Sequence, residues 1–349
     1  MLKKITALLS VLAMTVPLMC GCVSSGANTG PSNNPGEDRK SVSRTFFMFE
    51  TIVTATIYGS EDGKLVEACG EFLKKYDDIF SATRQTSELY KINNSPDTET
   101  EISEDLYITI KRSLEMCEQS EGRFDITVRP VSQLWDFAAE EFVPPADEMI
   151  KSALENVSYG KIGVRSENGR YFLHRDNSSI MIDLGAVSKG YISDKLREYA
   201  LSIGIRSAVF DIAGNIMCVG GKDYGGDAQD FQIGIYDPVD SEGNDPVIVN
   251  VRDKCVISSG VYQRNAEYNG RTYHHILDAR TGMPAEGDLV SVNVVCDEGL
   301  MGDMLSTGLF LMGEEGIVPE LPEGVAALYI YKDGTRKYYG NFDDLLKKA

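Results

Sequence analysis

The chain has 349 residues, 42% of them hydrophobic, and a formal charge of −19, so it buries a large core in one big domain or two interleaved lobes. That acidity repels nucleic acid and anionic lipid heads, so a phosphate-bearing ligand requires a local metal or basic site. With three histidines and seven cysteines that form no C-x-x-C pair, the spacing does not point to a zinc site.

In chain order, Lys3 and Lys4, an apolar run over 5–18 and then small residues follow the pattern of a secretory signal. The run is too short to span a bilayer comfortably. Leu18-Met19-Cys20-Gly21-Cys22 resembles a bacterial lipoprotein lipobox, which implies cleavage after residue 21 and lipidation of Cys22. A plain secretory signal cut nearby is the alternative; Cys20 is disfavoured as acceptor by bulky Met19 before it. Residues 1–21 are then the signal peptide and 22–43, rich in Ser, Gly, Asn and Pro, a lipid-anchored flexible tether. Such a tether reaches about 25 Å, and residues 44–349 form the functional domain. The expected location is the extracytoplasmic face of a bacterial cell membrane, with contact to the membrane through the lipid only. Five cysteines remain after this processing, an odd number that argues against a full disulfide framework.

Helical periodicity covers 62–79, where Leu65, Cys69, Phe72, Leu73 and Tyr76 share a face, and 104–120, opened by Ser103. Further helices fit 146–157, 189–203 and 299–312. Strand-like runs occupy 46–59, 179–184, 207–212, 231–236, 247–259, 273–278 and 289–295, with a hairpin over 327–340 that turns at Asp333-Gly334. Strands and helices mix without strict alternation, which predicts an α+β fold with a mixed or largely antiparallel sheet and flanking helices.

Four stretches carry possible chemistry. In IDLGAVSKGY (182–191) an apolar segment with an acid runs through Gly185 into Lys189-Gly190 at a helix start, where backbone N–H groups and a cation can hold an anion. The glycines read equally as turn residues. In GDMLSTG (302–308), Asp303, Ser306 and Thr307 recur at i, i+3 and i+4 and present hard oxygens that suit Mg²⁺, although Asp303 also fits as an ordinary early-helix acid. In YHHILDARTGMP (273–284), His274 and His275 face opposite sides of a strand, so at most one serves a given cleft. His174 has no such companions. In GRFDITVRPVSQLWDF (122–137), Trp135 either stacks on a flat heterocycle or fills core.

Taken together and in this order, these blocks resemble the FAD:protein FMN transferase family, the ApbE family. The matching pieces are MFETIVTATIYG, GRFDITVRPVSQLWDF, MIDLGAVSKGYISDKL, VFDIAGNIMCVGG, ISSGVYQRNAEYNGRTYHHILDARTGMP and VSVNVVCDEGLMGDMLSTGLFLMG. The resemblance implies an ApbE-like flavin transferase fold. It implies FAD contacts at Met48, Trp135, Asp136, Phe137, Asp183, Lys189 and Leu277, and Mg²⁺ ligands at Asp303, Thr307 and the Ala186 carbonyl. His275 stands near the reacting pyrophosphate as the expected base, with Asp183 second. The implied reaction moves FMN from FAD to a threonine hydroxyl of an acceptor protein and releases AMP. The implied acceptor is a membrane-associated electron-transport subunit. The alternatives are an FAD pyrophosphatase that yields FMN and AMP, and a non-catalytic surface lipoprotein that binds FAD. The sequence departs from the family pattern at Met48-Phe49-Glu50-Thr51, at Thr83 where a flavin-stacking tyrosine is usual (Tyr90 being the nearby substitute), and at Ala213-Gly214-Asn215, where paired glycines and an acid are usual.

Overall fold

The computed structural model describes residues 40–223, 228–315 and 321–346. The expected signal peptide, Cys22 and the tether up to residue 39 lie outside the described residues. Strand β1 (Ser41–Met48) starts three residues inside the segment read as tether. It pairs with β2 (Thr51–Tyr58) in a tight hairpin, so the run 46–59 is two strands. Both turn residues, Phe49 and Glu50, have positive φ, a conformation that two-residue hairpin turns demand.

After the hairpin come α1 (Gly63–Phe80), α2 (Glu88–Asn93), β3 (Glu99–Ile102), α3 (Glu104–Gln119), α4 (Arg129–Ser132) and α5 (Asp147–Leu154). Ser103 caps α3 as its sequence predicts, accepting from Leu106 N–H. Strands β4 (Ile162–Glu167) and β5 (Arg170–Arg175) join β3 in a three-stranded antiparallel sheet. The chain continues as α6 (Ser188–Ser202), β6 (Ala208–Ile212), β7 (Asn215–Val219), β8 (Phe231–Ile235), β9 (Val247–Val251) and β10 (Cys255–Gly260). Hairpin β11 (Asn265–Tyr268) and β12 (Arg271–His274) and the short pair β13 (Leu277–Asp278) and β14 (Met283–Pro284) precede β15 (Leu289–Cys296). Then follow α7 (Gly299–Met312), β16 (Ala326–Tyr331), β17 (Arg336–Tyr339) and α8 (Phe342–Leu345).

The fold is α+β. Its centre is an eight-stranded sheet in the order β1-β2-β6-β7-β10-β15-β16-β17, antiparallel at every pairing. Side chains alternate along each strand, and both faces of the sheet are covered. Ala327 and Tyr329 of β16 join the core that includes α1, α3, α6 and α7, whereas Ala326, Leu328 and Ile330 join a second core with β8, β9 and α8. Burial on both faces explains why β16 reads as an apolar run and why the polar residues Ser291 and Asn293 of β15 are buried and bonded to each other.

Three further sequence expectations differ from the structure. The run 247–259 splits at Asp253, whose φ is positive, and only β10 joins the large sheet, β9 pairing with β8 instead. The run 273–278 breaks after His274. Residues 179–184 are no strand, apart from an isolated bridge between Met181 and Val128. Ile180, Ile182 and Leu184 are buried as a strand's would be. The backbone of Ile182, however, is satisfied by the Asn93 side chain (2.7 and 2.8 Å), and Asp183 N–H goes to the Ile126 carbonyl.

The β6–β7 turn tests one departure from the family pattern. Ala213 has φ of 52° and Gly214 of 88°, so an alanine occupies a left-handed position that costs an L-residue roughly 1–2 kcal/mol. Ala213→Gly is expected to raise stability by about 1 kcal/mol in urea unfolding; an unchanged or lower midpoint contradicts a strained turn.

Candidate functional site

Helices α6 and α7 cross at two glycines. A Cβ on Gly190 would lie 2.1 Å from the Gly299 carbonyl oxygen, and one on Gly299 would lie 2.4 Å from the Gly190 carbonyl oxygen. Backbone therefore touches backbone, and no larger residue fits without separating the helices.

Neither helix carries its own side-chain cap; each caps the other. Asp303 Oδ2 of α7 accepts the Gly190 N–H at 2.9 Å. Asp194 of α6 accepts the Gly299 and Leu300 N–H groups at 2.7 and 2.9 Å. Both carboxylates thus satisfy donors that a helix start leaves open. Burial pushes the Asp194 carboxyl up to about 6, against the opposing effect of these two N–H groups.

This arrangement assembles most of the residues expected at a metal. Ala186 stands just before Val187, the N-cap of α6, so its carbonyl lies outside the helix ladder, next to the first turn that Asp303 caps. Asp303 is almost fully buried. Burial pushes its carboxyl up, while Lys189, the Asn215 amide and the Gly190 N–H favour the charged form. Asn215 Nδ2 makes no hydrogen bond of normal geometry. Lys189 Nζ sits 3.8 Å from Asp303 Oδ1 and donates to the Gly185 carbonyl at 3.0 Å. On the next turn of α7, Thr307 Oγ1 and Ser306 Oγ lie 3.0 and 2.9 Å from Ser259 Oγ of β10. Among the described residues no cluster of three His, Cys, Asp or Glu side chains occurs. The donor set is one carboxylate, a loop carbonyl and hydroxyls, all hard oxygens, and it fits Mg²⁺.

Asp183 stands at the other end of the same loop. Its Oδ2 accepts from Ser132 Oγ at 2.7 Å and its Oδ1 from Gly185 N–H at 3.0 Å. Arg129 Nη1 lies 3.7 Å away, and Arg129 Nε is buried without a partner. Asp183 thus holds the loop in shape and is the more encumbered of the two expected bases.

His275 is the freer one. Its Nδ1 lies 3.3 Å from the Arg264 carbonyl, which also accepts the His275 backbone N–H. A carbonyl only accepts, so Nδ1 carries the proton and Nε2 keeps its lone pair. His274 has the opposite tautomer: Nε2 donates to the Ala285 carbonyl at 3.0 Å, and its ring packs edge-on against Phe310. Burial and then the charge of Lys189 push His275 down to about 4, so it is neutral at pH 7.

The remaining expected residues fall into two groups. Trp135, Phe137 and Leu277 belong to one aromatic cluster. The Trp135 ring is stacked on Phe137 at 5.8 Å and tilted against Tyr273 at 5.7 Å, and its Nε1 donates to the Gly282 carbonyl. Its faces are covered by neighbouring side chains, the packing alternative read from the sequence. Asp136 is exposed and accepts from Ala138 N–H within its own turn. One helical turn joins this cluster to the Asp183 loop, because Ser132 bonds both Asp183 and the Trp135 N–H. Met48 belongs to the core that also holds Leu184 and Val187 of the Asp183 loop. It lines a cavity of about 230 Å³ with Glu50, Thr83 and Arg84, where Thr83 donates to Glu50 and Arg84 to Asp77. Tyr90 lies on α2, half-buried.

Sequence reasoning missed Asn93, Arg129, Asp194, Asn215 and Ser259 as supports of this site. Of these only Asn93 lay outside the quoted motifs; Arg129, Asp194, Asn215 and Ser259 stood inside them, but their partners are distant in the chain.

Residues 49–328 match the family model described as the ApbE family. The chain is 28% identical over 339 residues to the FAD:protein FMN transferase of Treponema pallidum, covering 92% of this chain and 91% of that one. To the FAD:protein FMN transferase of Escherichia coli K12 it is 27% identical over 74% of each chain. The crystal structure of the ApbE protein of Thermotoga maritima superposes with a TM-score of 0.78 at 28% identity, over 88% of this chain and all of that one.

The His275 surroundings predict a titration. In the free protein its ring signals in NMR should hold from pH 8 to about pH 5 and shift only as the pH falls through about 4. Lys189→Met removes a cation and should move the midpoint upward, still short of 6.5 because burial remains. A midpoint of 6.5 in the unaltered chain contradicts the buried, cation-facing geometry.

Proposed function

The chain belongs to the ApbE family, and from that premise we propose that it transfers FMN from FAD to a threonine hydroxyl of an acceptor protein, Mg²⁺-dependently, with release of AMP. The observation that carries this reading is the juncture of α6 and α7. Asp303 takes the Gly190 N–H, the Ala186 carbonyl lies just before the helix that Asp303 caps, and Lys189 stands beside Asp303. A pure binding protein has no use for a buried carboxylate held ready for a cation.

Asp303, Thr307 and the Ala186 carbonyl would hold the metal. The chemistry a bound Mg²⁺ supplies is neutralisation of charge on the pyrophosphate oxygens. Lys189 adds a second positive charge at the same place. Arg129, with Nε unpartnered and its guanidinium beside Asp183, offers unused donors to an anion. Its position fits the dinucleotide's phosphates or ribose. His275 Nε2 accepts the proton of the acceptor hydroxyl, which is a poor nucleophile at neutral pH.

Cys22 would anchor the chain by lipid to the extracytoplasmic face of the cell membrane, and the acceptor would be a flavin-carrying electron-transport subunit on that face. No helix among the described residues is long and apolar enough to cross a membrane.

Incubation with FAD, Mg²⁺ and an acceptor bearing a modifiable threonine should give in-gel flavin fluorescence on the acceptor and AMP in equal amount. Free FMN plus AMP with an unlabelled acceptor would identify a hydrolase, and unchanged FAD a carrier. Asp303→Asn keeps an oxygen for Gly190 and should preserve the fold while lowering transfer at least about 100-fold, the equivalent of losing several kcal/mol of charge stabilisation. Wild-type rates in that variant would refute the metal assignment. Arg129→Met should weaken FAD binding about tenfold, the loss of one charge-assisted contact, as read by quenching of flavin fluorescence; unchanged affinity removes Arg129 from the site.

A further inference from the structure

Outside the site, the structure brings two nucleophilic side chains face to face. Cys255 of β10 and Cys296 of β15 are directly opposed register partners in an antiparallel pair. Opposed residues project from the same face of the sheet, and both lie in the core under α7, each 1% exposed. Opposed Cα atoms in such pairs stand about 4.5–5.5 Å apart, inside the roughly 4.4–6.8 Å that a disulfide spans. Cys218 belongs to the core on the other face, and Cys69 and Cys117 sit on α1 and α3. No other two described cysteines are register partners.

We propose that Cys255 and Cys296 form a cross-strand disulfide when the chain folds in the presence of a disulfide oxidant, either a small-molecule disulfide or a dithiol–disulfide oxidoreductase. One cysteine sulfur attacks the oxidant's S–S bond, which breaks and releases a first thiol. The second cysteine then displaces the oxidant's remaining half as a second thiol. One S–S bond is formed and one broken, and the two cysteine protons end on the two released thiols. The exchange belongs to folding rather than to the finished fold. Contact with Cys296, and then burial, hold the Cys255 thiol well above its ordinary range, and both cysteines are buried away from any oxidant once the chain has folded.

The bond would tie together two segments that support α7. Strand β10 carries Ser259, which bonds Ser306 and Thr307. Cys296 ends β15 just before α7 and fills the space beside Gly302, where a Cβ would meet its Sγ at 2.8 Å. The odd cysteine count is then a pair plus three thiols that have no partner in register. This proposal is independent of the transferase reading.

The test unfolds the full chain with reductant and refolds it in mixed reduced and oxidised glutathione. Free thiols are then alkylated and the digest is mapped by mass spectrometry without reduction. The dominant crosslinked peptide should join Cys255 to Cys296, two hydrogens lighter than the sum of its parts. The oxidised protein should melt about 5 °C above the chain refolded with reductant. That difference should vanish in Cys255→Ala and persist in Cys218→Ala. Alkylation of both cysteines in the folded, oxidised product overturns the proposal, as does joining of either one to a different cysteine. Should Cys255→Ala fail to fold, the peptide map of the unaltered chain decides alone.

Discussion

The reciprocal capping of α6 and α7 is the constraint on which the rest of the site depends. Two helices that start at the same place expose eight N–H donors in principle, and here two aspartates meet the critical ones across the crossing. That exchange works only at backbone contact, which Gly190 and Gly299 permit. Once it is made, Asp303 is fixed against the first turn of α6, just after Ala186. The structural bond and the proposed metal site are therefore one arrangement. The acid serves as a cap in the protein alone, and the same acid offers its other oxygen to a cation.

The chain's overall charge of −19 makes the local electrostatics more informative. An anionic dinucleotide approaches such a protein against its long-range field, so binding has to come from short-range features. The loop 183–189 concentrates them: Lys189 beside Asp303, Arg129 beside Asp183, and backbone donors at a helix start. Burial, and after it Lys189, holds His275 neutral in the free protein. One cation thus acts on the carboxylate that would hold the metal and on the imidazole proposed as base. Charge arriving with the substrate changes both together.

What the sequence revealed follows from which interactions are local. Helix α3 was legible to within a residue because Ser103 and its first-turn acids are adjacent in the chain. The i, i+3, i+4 spacing of Asp303, Ser306 and Thr307 survives in the structure for the same reason, although Ser306 and Thr307 meet Ser259 as well. The segment 179–184 misled because apolar alternation reports burial and says nothing of which partner takes the backbone bonds; the partner was the side chain of Asn93, 89 residues away. Asp194 was invisible as a cap because its helix N-terminus belongs to another element. The hairpin turn at Phe49-Glu50 lacks the Gly and Asn that usually announce left-handed positions. The aromatic character of GRFDITVRPVSQLWDF was plain, yet only packing decides whether Trp135 meets a ligand or its neighbours.

Asn215 draws these strands together. The family pattern commonly has an acid there, and in this chain the buried amide lies beside the Asp303 carboxylate and favours its charge. A second carboxylate in that place would repel the first in a buried setting and drive one of them to take up a proton unless a cation intervened. With an amide, the only charges bearing on Asp303 are its own and that of Lys189, and the acid stays able to cap α6 without a metal. The substitution therefore separates two properties that a pair of acids would couple. The junction of the helices stands on its own hydrogen bonds, and a cation adds to a site already formed. For the proposed metal site, this would mean a weaker electrostatic hold on the cation, with one carboxylate to attract it in place of two. The loop then depends more on the phosphates of its ligand to complete the cation's shell, as Mg²⁺ sites of few protein oxygens generally do.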